Sequence, residues 1–228
     1  MKSFDRLKDS YECQLGEALR VSGQDADFFT RAKARELLDL ARRYVGDPAQ
    51  LEALDIGCAV GLTDTYLLPA FKHVAGVDIS APLVERAAER NPEATYSSYE
   101  GGRLPYDDDS FDVVFTFCVL HHVAPAERPA FVAEMHRVTR RGGIAVVGEH
   151  NPLNPLTRLV VSRCAFDEDA VLLRAGEVNR LFRQAKLDPL EQRFILILPF
   201  EGRTVQRLER ALRAVPIGAQ YLLAGHPI

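Results

Sequence analysis

The sequence predicts a doubly wound α/β fold, and three observations point that way. Short apolar runs alternate with amphipathic helical stretches across the first two thirds of the chain. The turn behind the first run, Gly57-Cys58-Ala59-Val60-Gly61, loses its side-chain bulk abruptly, as a backbone does where it passes close to a ligand. Two further apolar runs close the chain with no helix after the last. Strands that alternate with helices imply right-handed crossovers and a mostly parallel sheet covered on both faces.

The elements follow in order. Residues 28–44 place Leu37, Leu38, Leu40, Ala41 and Tyr44 against charged positions, which predicts an amphipathic helix ending before Gly46-Asp47-Pro48. Strands are expected at 53–56, 73–77, 94–96, 113–117 and 144–147. Helices are expected between them at 64–70, 82–90 and 128–139, the last with Phe131, Val132, Met135 and Val138 at helical spacing. In the final third a helix is expected at 177–185, a buried strand at 193–198 ("RFILIL"), a helix at 203–214 and a strand at 220–224 ("QYLLA"). One of these closing strands should run antiparallel. The sequence shows no repeat, low-complexity tract or linker, so residues 1–228 read as one domain: a helical lid at 1–45, a ligand-binding core at 50–150, and substrate-side loops, helices and closing strands at 151–228.

Composition limits the chemistry. A chain of 228 residues with 47% hydrophobic residues can bury a full core, and a formal net charge of −4 gives no support for broad nucleic-acid binding. The four cysteines, Cys13, Cys58, Cys118 and Cys164, have no Cys-x-x-Cys spacing, so neither a zinc site nor a disulfide framework is expected, and a reduced cytoplasmic setting fits. The start "MKSFDRLKDS" lacks the apolar centre of a signal peptide, and no membrane span is expected. Asp107-Asp108-Asp109 reads as a solvated turn, Asp112 as a structural residue, Cys58 and Cys118 as small apolar fillers, and no metal is expected.

The glycine-rich turn has a more specific reading. Ligands of such sheets bind at the carboxyl ends of the strands, and the first strand-to-helix turn is the usual contact. Asp78 ends the second strand in "GVDIS", 21 positions beyond Gly57, where a carboxylate can accept both hydroxyls of a ribose. The dinucleotide pattern needs glycines where Ala59 and Leu62 stand, and no Lys-Ser or Lys-Thr pair completes a phosphate loop. Asp55, at the mouth of the turn, would repel a phosphate and suit an ammonium group. A ribose ligand carrying a cation fits best, which is the chemistry of S-adenosylmethionine.

Four ordered stretches, "LDIGCAVG", "GVDIS", "LPYDDDSFDVVFTFCVLHHV" and "FVAEMHRVTRRGGIAVV", resemble the successive motifs of class I S-adenosylmethionine-dependent methyltransferases, most closely the small-molecule branch called methyltransferase type 11. The resemblance is tight over roughly residues 50–150 and departs from the family at Ala59, where glycine is usual. It implies a Rossmann-like sheet of seven strands, mostly parallel with an antiparallel strand near the C-terminus, and S-adenosyl-L-homocysteine as product. It places Asp55 and Gly57 near the methionine amino group, with Ala59 and Gly61 along the turn. It puts Asp78 on the ribose, Ile79 and Leu104 against the adenine faces, Glu100 and Gly101 at the adenine edge, and the Phe117 carbonyl toward the methionine ammonium.

Residues 148–173 are the most individual stretch. Two Asn-Pro steps force extended, turn-rich backbone there, and Glu149, His150, Asn151, Asn154 and Arg158 form a polar group suited to a substrate pocket. His150 is the leading general-base candidate and His121 the competitor, because an unperturbed imidazole titrates near about 6.5. Tyr11, His122, Glu149, Asn154 and Arg158 are the expected acceptor contacts. The function expected is methyl transfer to a small molecule, with oxygen slightly favoured over nitrogen or carbon. A tRNA or protein methyltransferase and a non-catalytic S-adenosylmethionine-binding protein are the alternatives.

Overall fold

A computed structural model describes residues 16–17, 19, 23–164, 167–200 and 202–228. The long helix α1 (Ala26–Tyr44) starts where Asp25 accepts the backbone N–H of Phe28 at 2.9 Å, satisfying one of the first-turn donors that have no partner inside the helix. A short 3-10 turn (Pro48–Gln50) leads into β1 (Glu52–Ile56), α2 (Asp64–Leu67), β2 (His73–Asp78), α3 (Ala81–Arg90) and β3 (Thr95–Ser98). These are followed by β4 (Phe111–Phe117), α4 (Arg128–Val138), β5 (Thr139–His150) and α5 (Pro155–Val161). The chain closes with α6 (Ala175–Gln184), β6 (Leu187–Ile195), α7 (Arg203–Leu212) and β7 (Gln220–Pro227).

The seven strands form one sheet in the order β3-β2-β1-β4-β5-β7-β6. Strands β1 to β5 pair in parallel, whereas β7 runs antiparallel to both β5 and β6. The alternation of side chains along each strand fills two cores. Leu54, Ile56, Val114 and Val147 face α4 and α6, where Met135, Val138, Val178 and Phe182 meet them. Ala53, Val113, Phe115 and Val146 face the other way, onto Leu37, Leu40 and Ala41 of α1. Phe115 is fully buried there, and its truncation to alanine should cost about 3–5 kcal/mol.

Two expectations need correction. The strand expected at 193–198 is β6, which begins at Leu187 and ends at Ile195. Of its first six residues, on the sheet edge, three are polar, one is proline and only Leu187 is buried, so they carry no buried-strand signal, and Leu196 turns the chain away with φ +59°. Strand β5 is much longer than 144–147 because the polar and glycine residues Arg140–Gly143 continue it past an irregularity opposite Phe111 and Val113. Of the helical lid expected at 1–45, residues 1–15, 18 and 20–22 lie outside the described residues; α1 buries Leu37, Leu40 and Ala41 in the core, and its first turns reach the crevice. Among the described residues no helix is long and apolar enough to cross a membrane.

Candidate functional site

Sheet order reverses between β1 and β4, the place where a doubly wound sheet opens a crevice at its carboxyl edge. A cavity of about 1090 Å³ lies there, walled by the ends of β1, β2, β4 and β5, by the first turns of α1, and by α5.

The turn after β1 is built for close approach. Gly57 has φ +83°, and a Cβ on it would lie 2.4 Å from a methyl of Val119; its N–H donates to Val77 O at 2.7 Å. Ala59 takes φ +46°, a left-handed conformation that strains a residue with a Cβ, at the place where the resemblance leads one to expect glycine. Its N–H donates to Asp78 Oδ2 at 3.0 Å, and Ser80 N–H donates to Asp78 Oδ1 at 2.9 Å. The carboxylate of Asp78 is thus fixed by two backbone donors. Gly61 lies behind the turn and not on the cavity wall: it packs against Ala87, Asn91 and Tyr96, and its carbonyl accepts from Asn91 at 2.8 Å.

At the base of the crevice Asp55 is 4% exposed and Asp64 is fully buried. No donor reaches Oδ1 of either residue among the described residues. Two carboxyls placed together in this way can pair only by sharing a proton. Burial first, and then the charge of Asp64, push Asp55 well above the carboxylate range, although Lys33 of α1 opposes the rise. Burial raises Asp64 to about 7 against the lowering hydrogen bonds from Tyr96, whose hydroxyl lies 2.7 Å away, and from Asp55. An incoming cation would complete this pair.

Ile79, Glu100 and Gly101 border the next part of the cavity, and Ile79 is 49% exposed. Leu104 does not border it. Its side chain is buried in the core beside α4 and its N–H donates to Glu134 at 2.8 Å, so the wall on that side comes from Gly102, Arg103 and Phe131. The ring of Phe117 faces the cavity at the end of β4, with Lys33 Nζ 5.6 Å from its centroid.

The far end is polar and largely closed. His121 Nδ1 lies 2.6 Å from Glu149 Oε2, and His121 Nε2 lies 3.2 Å from Asp167 Oδ1. Glu149 also accepts the N–H of Leu120 at 2.7 Å, and His122 Nε2 lies 3.2 Å from Asp167. Burial alone would lower His121, but the charge of Glu149 and the hydrogen bonds from both carboxylates outweigh it and hold the imidazole at about 10. With both nitrogens engaged, His121 offers no lone pair to a substrate and is unsuited to the general-base role expected of it. His150 faces the same point. Burial and the neighbouring His121 charge lower it to about 4, against the pull of Glu149 and Asp167, so it is neutral but only weakly basic.

The structure therefore brings Asp55, Gly57, Ala59, Asp78, Ile79, Glu100, Gly101, Phe117, His121, His122, His150 and Asn154 to one cavity. Glu149 lies behind the wall as the support of His121, and Asn154 also caps α5 through Leu156 N–H at 2.9 Å. Arg158 is exposed on α5 and does not border the cavity: the helix carries it round to the solvent side while Thr157 and Val160 face inward. Tyr11 lies outside the described residues. Sequence reasoning missed Lys33, Asp64 and Asp167. For Asp64 the signal was available as an acid beside the turn, whereas Lys33 lies outside the stretches singled out and Asp167, within 148–173, stands beside Glu168 and Asp169 with nothing to mark it, so both enter through tertiary packing.

Residues 54–147 match the family profile described as "Methyltransferase domain". Among curated proteins, an uncharacterized methyltransferase of Synechocystis sp. is 36% identical over 104 residues, which cover 45% of this chain and 49% of that protein. The 27-O-demethylrifamycin SV methyltransferase of Amycolatopsis mediterranei is 31% identical over 156 residues, covering 65% of this chain and 57% of that protein. The chain thus spans about half the length of these relatives. Among solved structures, an S-adenosylmethionine-dependent methyltransferase of Thermotoga maritima, titled a possible histamine N-methyltransferase, superposes with a TM-score of 0.69 at 19% identity, covering 99% of this chain and 98% of that one. At that identity the likeness is one of fold.

Proposed function

We propose, from the premise that residues 54–147 form a class I S-adenosylmethionine-dependent methyltransferase domain of the type 11 branch, that this chain methylates a small-molecule acceptor, at oxygen in preference to nitrogen or carbon. One observation carries the reading: a continuous cavity joins a ribose-type carboxylate and a buried acid lacking a donor to a separate, histidine-lined end. At about 1090 Å³ it slightly exceeds the range of about 300–1,000 Å³ typical of small-ligand sites, which leaves room for two ligands side by side.

The residues present fit the cofactor. Asp55 Oδ1, buried and without a donor, suits a methionine ammonium, and the Asp78 carboxylate, on the cavity wall and set by the N–H groups of Ala59 and Ser80, suits two ribose hydroxyls. Glu100 and Gly101 are assigned to the adenine edge, Ile79 to one adenine face, and the Phe117 carbonyl to the ammonium. The bound cofactor supplies an electrophilic methyl group on a sulfonium. The protein contributes position and dryness: Phe28 and Phe29 of α1, with Phe117, wall the reacting region and exclude water. His122, His150 and Asn154 are the acceptor contacts, and Glu149 and Asp167 are positioning residues acting through His121.

The acceptor end favours a small molecule over tRNA or protein because it is recessed and the chain carries a net charge of −4. Release of S-adenosylhomocysteine across a panel of phenols, carboxylic acids and amines tests the reading. Turnover confined to hydroxylic acceptors is expected. Cofactor binding with no turnover on any member of the panel would instead favour the non-catalytic alternative.

A further inference from the structure

We infer that the closed end of the cavity is a binding site for a divalent first-row transition ion, ligated by His121 Nε2, His150 and Asp167, with Glu149 orienting His121 from behind. One ligand atom from each of the three lies within 4.8 Å of the others, although the residues come from three separate places in the chain: the turn after β4, the end of β5 and the loop after α5. His121 Nε2 and Asp167 Oδ1 stand 3.2 Å apart. Two ligands at about 2.0–2.1 Å from one tetrahedral ion have about that separation. An ion would take the place of the proton that now bridges them.

The surroundings have the form that metal sites use to hold an imidazole. A ligating histidine commonly gives its second ring N–H to a carboxylate, which fixes the tautomer and aims the other nitrogen. Glu149 does this to His121 at 2.6 Å, and is itself pinned by the N–H groups of Leu120 and His121. On the far side His122 Nε2 steadies Asp167 at 3.2 Å. His150 has no hydrogen bond to its ring among the described residues, yet its ring stands 5.2 Å from that of His121. A second imidazole turned toward an already paired histidine and carboxylate gains nothing from them directly, and a shared cation accounts for it.

Two imidazoles and one carboxylate suit Zn²⁺, Co²⁺, Fe²⁺ or Mn²⁺ better than the oxygen-preferring Mg²⁺. All three residues border the cavity, so coordination positions stay open on the acceptor side. A hydroxyl bound there would lose its proton to bulk water more readily, because the ion stabilises the oxyanion as it does a bound hydroxide. The catalytic use rests on the proposed methyl transfer; the metal site itself does not.

The test is titration of the metal-stripped protein with Co²⁺, followed by its visible absorption and by calorimetry, with Mg²⁺ in parallel and S-adenosylhomocysteine titrated separately. One Co²⁺ per chain is expected, at least a hundredfold tighter than Mg²⁺. His150→Ala and Asp167→Asn should each weaken Co²⁺ at least a hundredfold, and Glu149→Gln about tenfold to hundredfold. Asp107→Ala on the exposed acidic turn should change nothing. The circular dichroism of each variant establishes that it is folded, and Asp167→Asn, the least disruptive, suffices if another fails. Wild type that binds Co²⁺ no better than Asp167→Asn overturns the site. Because S-adenosylhomocysteine binding is read independently, loss of the metal claim and loss of the methyltransferase reading are distinguishable.

Discussion

The carboxylate of Asp78 accepts the backbone N–H of Ala59 at 3.0 Å, so the end of β2 and the turn after β1 form one hydrogen-bonded unit. Ala59 holds its end of that contact with φ +46°. Replacing it with glycine removes about 1–2 kcal/mol of left-handed strain and adds about 0.5–1 kcal/mol of backbone entropy cost. Ala59→Gly should therefore leave stability unchanged or raise it by up to about 1.5 kcal/mol, whereas Ala→Gly changes elsewhere usually destabilise. Urea unfolding checks this, and a loss above about 1 kcal/mol would contradict the strain.

The Asp55–Asp64 pair makes stability depend on pH. Asp64 is raised to about 7 in the folded chain from an ordinary value near 3.8, so folding takes up a proton between these values. Stability on this account falls as pH rises from about 4 to about 7 and is not regained above. The groups facing the pair are Lys33 from α1, Cys58 in the turn, Asp78 from β2 and Tyr96 from β3. Asp64→Asn keeps an acceptor for Tyr96 and gives Asp55 a neutral donor. The fall in unfolding temperature between pH 5 and pH 8, measured without cofactor, should be smaller in Asp64→Asn than in wild type. Equal falls would show that no proton is held there.

Arg193 anchors β6 to α1. Its side chain is 1% exposed and meets Asp39 at 2.6 Å and both Glu36 and Glu191 at 3.0 Å. Glu191 also accepts the Tyr44 hydroxyl at 2.9 Å. Arg193→Ala removes the buried guanidinium from three carboxylates, of which Glu36 keeps Arg35 at 3.6 Å and Glu191 keeps Arg213 at 3.2 Å, and should cost about 1.5–3 kcal/mol. A loss under about 1 kcal/mol in denaturant unfolding would mean that the network contributes little.

Much of this was legible in the sequence, and the remainder shows where local patterns stop. The parallel core strands announce themselves because both faces are buried and the residues read as apolar runs. The edge strand β6 does not, and Arg193, the largest fully buried side chain, looks in sequence like a solvent-side charge at the start of "RFILIL". Asp55 and Asp78 were readable because the turn and the strand ends fix their place. Leu104 and Arg158 were misplaced because their side-chain direction depends on packing and helix phase. The grouping of His121, His150 and Asp167 spans 46 positions with no ligand spacing to mark it, and only the fold assembles it.

The central claim is that this crevice binds S-adenosylmethionine through Asp78, and calorimetric titration with S-adenosylhomocysteine, wild type against Asp78→Ala, tests it most directly. Loss of charged hydrogen bonds to the ribose costs about 1.5–3 kcal/mol, which corresponds to an affinity loss of roughly tenfold to hundredfold. Saturable one-to-one binding by wild type, weakened by that factor in the variant and with no comparable binding of NAD, is the predicted result. Failure of the folded wild type to bind S-adenosylhomocysteine, or equal affinity in the two proteins, would contradict it.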